Sequence, residues 1–398
     1  MKDITDIERE AVPVGDDLQE MKIHGDIEFP LMVYPVTLSQ MYLKLIRWHW
    51  HPEIEMIYVL EGKVEALIDE ESFILEPGQG ILVNQNVLHA FHRVEEYEAV
   101  TDDLTENQWR EVQNKRTYAL MKENYFWAEY LTDSASYDFS LEPRSFFESM
   151  IVEQDRFSYC YVNEEYTPST RGTNLNETVS LDSIYVYGDC RVGYFVYDEF
   201  DTEADITDII LKFRVASLDD IIIDLRSNPG GFVRTCMHLA SLIVPQEHIG
   251  KLFATYRYNS LRTKQLYEET GSSLRFEYLY DDKNTKQRNL NMKRLFCLVD
   301  RYSASCSELL INSLRPYMEV VVIGDITCGK DVGMEVYSNP KYKYVLQPIV
   351  FRTYNAVGDS VPVTGIEPDI YVKRNNLPLG DTRESYLRAA LDYIINND

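Results

Sequence analysis

The 398-residue chain reads as a multidomain α+β protein: a small N-terminal β-barrel, a helical subdomain and a larger α/β core. Three observations predict this. Between Asp26 and Glu98, short apolar runs are separated by turn residues, with no helix-length periodicity. From about Thr105 the apolar spacing becomes helical. From Arg191 onward, buried-strand runs alternate with amphipathic helical patterns, which argues α/β layering. The expected division is 1–25 an acidic arm, 26–98 the β-barrel, 105–160 the helical subdomain, 161–190 a linker, 191–376 the core and 377–398 a C-terminal helix.

Composition narrows the partners. The chain is 45% hydrophobic and 26% charged, the balance of a globular protein, and its net charge is −26. Such a field repels phosphate backbones and anionic bilayers, so neither nucleic acid nor a membrane surface is expected as a partner. Met1 to Glu20 is polar and acidic, without the apolar stretch of a signal peptide, and no apolar span is long enough to cross a membrane. A cytoplasmic location follows as the expectation. The six cysteines, at 160, 190, 236, 297, 306 and 328, show no C-x-x-C spacing and are expected as free thiols. A homodimer is compatible with all of this.

In the β-barrel the strands are expected at Leu31–Val36, Met41–Arg47, Ile54–Leu60, Lys63–Asp69, Ser72–Leu75 and Ile81–Val83, punctuated by Glu61-Gly62, Pro77-Gly78 and Gly80. Within them stands Trp48-His49-Trp50-His51-Pro52-Glu53-Ile54-Glu55, followed by Pro77-Gly78-Gln79-Gly80 and His89. His49 and His51, two apart on a strand, point to one face. The segment resembles the cupin fold, and in particular the sensor cupin of AraC-type regulators. That resemblance implies a small-molecule ligand or a divalent metal held by His49, His51, Glu55 and His89, a donor set suited to Zn, Fe, Mn or Ni. Histidines that merely line a ligand pocket are the plainer account. No helix-turn-helix pattern follows.

The helical segment carries Trp109, Val112, Tyr118, Leu120 and Tyr125-Phe126-Trp127, with a short second helix over Pro143 to Ile151. Its aromatic stripe is expected to be core. Asn163 to Ser183 is polar and reads as linker or surface loop. Strands are expected at Val192–Tyr197, Ile221–Leu225, Leu295–Val299 and Glu319–Ile323, with helices around Glu203–Phe213, Phe232–Leu242 and from Ser305. Asn259 to Arg294 is expected as an inserted hairpin or lid, and an amphipathic helix closes the chain over Thr382 to Ile395.

Two strand-to-helix junctions and one glycine turn carry the chemistry. They are Asp224-Leu225-Arg226-Ser227-Asn228-Pro229-Gly230-Gly231, Ser303-Ala304-Ser305-Cys306-Ser307-Glu308, and Gly324-x-x-Thr327-x-Gly329-Lys330. Ser305 would sit at a helix N-terminus, where free N–H groups and the helix dipole favour negative charge. Ser305-x-x-Glu308 is also a capping box, and taken alone that structural reading is sufficient.

Together the three motifs, with 25 residues from Ser305 to Lys330, resemble the C-terminal processing (tail-specific) peptidases. The resemblance, over about 105–398, implies a crotonase-like core and a peptide or protein substrate. It makes Ser305 the nucleophile and Lys330 the general base, and it implies no cofactor. The oxyanion hole would use the N–H of Cys306 and that of Gly230 or Gly231. Two departures stand out. Many members place a glutamine where this chain has Met334, and 161–190 is too short for the PDZ domain members usually carry.

Lysine can act as base only if desolvation keeps it neutral, and the buried run Val320–Ile323 before the turn suits that. A Ser–His arrangement would need His238 or His248. The function expected is a Ser–Lys serine endopeptidase, regulated by the cupin's ligand. The alternatives are a catalytically impaired pseudo-peptidase acting as a peptide or ligand sensor, and a metal-dependent cupin enzyme.

Overall fold

A computed structural model of the chain describes residues 45–49, 54–68, 71–84, 87, 89–94, 105–162, 179–201, 204–339 and 344–397. These divide into two compact units, residues 1–112 and 113–398. Among the described residues no helix is long and apolar enough to cross a membrane.

Among its described residues up to Val94, the first unit is built of strands. Its strands β1 (Leu45–His49), β2 (Glu55–Tyr58), β3 (Lys63–Ile68), β4 (Glu71–Leu75), β5 (Gly80–Val83) and β6 (His89–Val94) form two antiparallel sheets, ordered β1-β6-β3-β4 and β2-β5. Val59, Ala66, Leu75, Val83 and Phe91 make its small core. The strand expected at Leu31–Val36 lies outside the described residues.

Helix α1 (Glu106–Asn124) carries the chain into the second unit. There α2 (Pro143–Glu148) opens on a proline, which suits a first turn whose N–H has no helical partner. Met121, Tyr125, Phe146 and Phe147 bury together with Ile349, and Tyr118, Phe126 and Trp127 pack half-buried against them, so most of the aromatic stripe is core, while Tyr130 at its end is exposed. Strand β7 (Tyr159–Val162) follows. The linker reading is corrected over its last part, where β8 (Val179–Tyr187) is a strand, antiparallel to β9 (Cys190–Tyr197) at the sheet's edge; residues 163–178 lie outside the described residues. A register slip between Val179 and Leu181 breaks the alternation by which a strand is recognised, and the strand's half-exposed faces tolerate Ser180 and Asp182.

The core then runs α3 (Ala204–Ala216), β10 (Asp220–Asp224), α4 (Val233–Ile243), β11 (Leu252–Tyr258), α5 (Ser260–Thr270), β12 (Arg275–Tyr278), α6 (Lys283–Arg288), β13 (Arg294–Val299), α7 (Cys306–Leu314) and β14 (Glu319–Gly324). After these come β15 (Val332–Met334), β16 (Tyr337–Asn339), β17 (Tyr344–Gln347), β18 (Ile349–Tyr354), β19 (Ile370–Tyr371) and α8 (Ser385–Asn396). The main sheet is ordered β8-β9-β10-β13-β14-β19 and is parallel from β9 onward.

Its strands are apolar on both faces because both are covered. Ile221, Ile223, Leu295, Cys297 and Val322 pack with residues of α3, α4 and α7, while Ile222, Phe296, Leu298, Val321 and Ile323 pack with α8. A second sheet, β12-β11-β18-β15, and a third, β16-β17-β7, complete the unit.

The insert at Asn259 to Arg294 is not a hairpin but a helix, a strand and a helix. Asn259 caps α5 by accepting from Arg262 N, Gly271 ends it in a left-handed conformation, and Asp282 caps α6 by accepting from Thr285 N. These cap residues were the overlooked signal.

Candidate active site

In a parallel sheet, sites form outside the carboxyl ends of the strands. Here the turns after β10, β13 and β14 meet at that edge. Asn228 ties the first two: its Nδ2 donates to Tyr197 O at 2.8 Å, and its carbonyl accepts from Ala304 N at 3.0 Å and from Ser307 Oγ at 3.1 Å. Ser303 Oγ donates to Leu225 O at 2.8 Å, and Ser303 O accepts from Cys328 N at 3.0 Å, which brings in the third turn.

Ser305 precedes α7 with φ 56° and ψ −112°, a conformation that L-residues seldom adopt. Glycine is required opposite it. A methyl group at Gly230 would lie 2.7 Å from Ser305 Cβ and 2.9 Å from the Cys306 amide nitrogen. The reach-back half of the expected capping box is present, with Glu308 Oε2 accepting from Ser305 N at 3.1 Å. Glu308 does more than cap. The same oxygen accepts from Lys330 N at 2.8 Å, while Oε1 accepts from Gly329 N at 2.7 Å and from Thr327 Oγ1 at 2.6 Å. Burial pushes its carboxyl up, and the four donors oppose that shift.

This clamp was missed in the sequence, where Glu308 read only as a cap. Its signal was present: one acidic residue inside a run, Cys306 to Leu314, that is otherwise without charge and is buried throughout.

Lys330 is partly buried. Burial pulls its ammonium below the ordinary value of 10.5, against the opposing pull of nearby groups that include Glu308 and Asp155. Its Nζ lies 5.4 Å from the centre of the Phe157 ring and 4.0 Å from Met334 Sδ. So the residue four positions on does meet the amine, as a thioether rather than an amide. Arg156 packs on the same ring and donates to Gly329 O at 2.7 Å.

Of the two glycines left open by the sequence, Gly230 donates its amide to Asn228 Oδ1 at 2.9 Å, whereas among the described residues no acceptor takes the Gly231 amide. His238 packs against Tyr280, and His248 against Tyr317 and Lys251 Nζ.

In the first unit, Glu55 Oε2 and His89 Nε2 lie 2.7 Å apart, and His89 Nδ1 lies 2.7 Å from Val87 O. His49 is the register partner of His89 across β1 and β6. His51 lies outside the described residues.

Residues 191–372 match the family model for peptidase family S41, and residues 112–159 match the model for its N-terminal domain. Over residues 112–159 and 191–372 the chain belongs to peptidase family S41. Ahead of the S41 region, residues 44–101 match the cupin domain model. The S41 reading is accompanied by 24% identity over 200 residues to the "Probable CtpA-like serine protease" of Staphylococcus aureus (strain N315), covering 49% of this chain and 36% of that protein. A second relative, the "Uncharacterized HTH-type transcriptional regulator YdeC" of Bacillus subtilis (strain 168), is 32% identical over 76 residues, 19% of this chain and 26% of that one. The chain thus spans about a third or less of these curated relatives. An S41 crystal structure from Bacteroides fragilis NCTC 9343 superposes with a TM-score of 0.61 at 19% identity, over 71% of this chain and 97% of that one. At that identity the likeness is one of fold.

Proposed function

We propose that the S41 unit is a serine endopeptidase, in which Ser305 Oγ attacks the scissile carbonyl of a peptide or protein and Lys330 Nζ takes the serine proton. The observation that carries this reading is the single Glu308 carboxylate that binds both backbone amides, Ser305 N and Lys330 N. Desolvation of the Lys330 amine supports it, since only a neutral amine can accept a proton. The Cys306 and Gly231 amides receive the oxyanion, because the Gly230 amide is engaged by Asn228. Lys330 then returns the proton to the leaving amine, and water hydrolyses the acyl-enzyme by the same route. No metal or cofactor enters these steps. The parallel sheet with helices on both faces is read as the crotonase-like core.

The cupin unit is read as the regulatory part. Glu55 and His89 already meet, and His49 is the register partner of His89, so a small polar ligand or a divalent cation would displace the Glu55–His89 hydrogen bond and take both side chains as donors. Thermal-shift screening of the whole chain with metals and small ligands tests this part.

A serine-directed fluorophosphonate tests the peptidase. Wild type should be labelled at Ser305 and lose its cleavage of a peptide library, and Ser305→Ala should resist labelling. A protein that binds peptides but is neither labelled nor cleaves would be the pseudo-peptidase instead.

A further inference from the structure

Two thiols lie against the backbone of Gly231 and Cys306. Cys306, the first residue of α7, donates from Sγ to the Gly231 carbonyl at 3.1 Å. Cys236, on α4, donates from Sγ to the Cys306 carbonyl at 3.3 Å, and its side chain also meets the Cys306 side chain. Both are buried, and all six cysteines are free thiols. The pair therefore touches both residues, Cys306 and Gly231, whose amides are assigned to the oxyanion.

We propose that Cys236 and Cys306 form an oxidation site: a hydroperoxide converts the pair to a disulfide that disables the oxyanion hole, and a thiol reductant restores it. The effect on cleavage rests on the peptidase reading above; the bond itself does not.

The chemistry balances in two steps. The Cys306 sulfur attacks the outer oxygen of the hydroperoxide, the O–O bond breaks, and Cys306 sulfenic acid forms with release of water or an alcohol. The Cys236 sulfur then attacks the sulfenic sulfur. An S–S bond forms, and the hydroxyl leaves with the Cys236 proton as water. The two thiols lose two electrons to the peroxide.

A disulfide holds its sulfurs about 2.05 Å apart, far inside hydrogen-bond range. Closure therefore draws the first turn of α7 toward α4 and takes the Cys306 thiol off Gly231 O. Both oxyanion donors are displaced by one bond.

The test uses the full chain, reduced and then exposed to hydrogen peroxide. Peptide cleavage should fall by at least about tenfold and return with dithiothreitol. A non-reducing peptide map should show the Cys236 and Cys306 peptides joined, with the mass of two hydrogens lost. Cys236→Ala should keep its basal cleavage, form no such link, and under sustained peroxide go on from Cys306 sulfenic acid to sulfinic acid, which dithiothreitol does not restore. The proposal is overturned if oxidised wild type lacks the link, or if Cys236→Ala is inactivated and restored just as wild type is. The peptide map needs neither the variant nor peptidase activity, so a failure of the peptidase reading is seen separately.

Discussion

Glu308 Oε2 accepts the Lys330 amide at 2.8 Å and the Ser305 amide at 3.1 Å, so one buried oxygen holds the backbone of both candidate catalytic residues. The other oxygen serves Thr327 and Gly329. A carboxylate suits this place because all four neighbours donate and it only accepts. In Glu308→Gln an amide NH2 replaces one oxygen, and at least one buried N–H loses its acceptor. Glu308→Gln should cost about 1–3 kcal/mol of stability and lower kcat more than it raises KM. Chemical denaturation and steady-state cleavage check this, and a variant equal to wild type in both would sink the clamp.

Ser305 is held at φ 56° and ψ −112°, where a Cβ is strained and glycine is not. Ser305→Ala keeps the strain and loses the nucleophile. Ser305→Gly loses both. Neither should cleave peptides, yet Ser305→Gly should unfold at higher denaturant than Ser305→Ala, by about 1–2 kcal/mol. Equal stability would mean that the backbone stores no strain at the nucleophile.

Much of this was legible in the sequence. The apolar runs at Ile221, Leu295 and Val320 read as buried strands because a parallel sheet covered on both faces needs apolar residues at consecutive positions. The three motifs did land on one edge of one sheet. What stayed illegible depends on contacts between distant segments. Phe157 and Arg156 come to the Lys330 turn from far back in the chain, Arg156 being 173 residues before the Gly329 carbonyl it binds. One local contact was also missed: Asn228 Oδ1, two residues back in the same turn, takes the Gly230 amide and leaves the Gly231 amide. Strand β8 was hidden by a bulge.

Arg226 is buried between two carboxylates. Its guanidinium donates to both Asp224 oxygens, at 2.8 and 2.5 Å, and to Glu384 Oε1 at 3.0 Å. Glu384 in turn caps α8 by accepting from Tyr386 N and Leu387 N. The glycine turn is thereby latched to the last helix. Arg226→Met would strand two buried carboxylates, and breaking such a pair costs about 3–5 kcal/mol. The double variant Arg226→Met with Glu384→Gln should recover part of that loss. Thermal unfolding of the single and double variants measures it, and an additive result would show that the latch is not coupled.

The pH dependence isolates Lys330. Unfolded, its amine titrates at the ordinary 10.5; folded, burial makes it titrate lower. Between those two values the unfolded chain binds more protons, so stability rises with pH across that window and the charged amine is a cost below it. Lys330→Met removes the cost and should raise Tm at neutral pH by about 2 °C while abolishing cleavage. Wild-type kcat/KM should rise with pH as the amine loses its proton, with its midpoint below 10.5. Lys330→Arg should cleave no better than Lys330→Ala at any pH, since a guanidinium keeps its proton. His238→Gln and His248→Gln should keep the rising limb unchanged. A limb that survives in Lys330→Arg and disappears with one of the histidines would move the base from Lys330 to that imidazole.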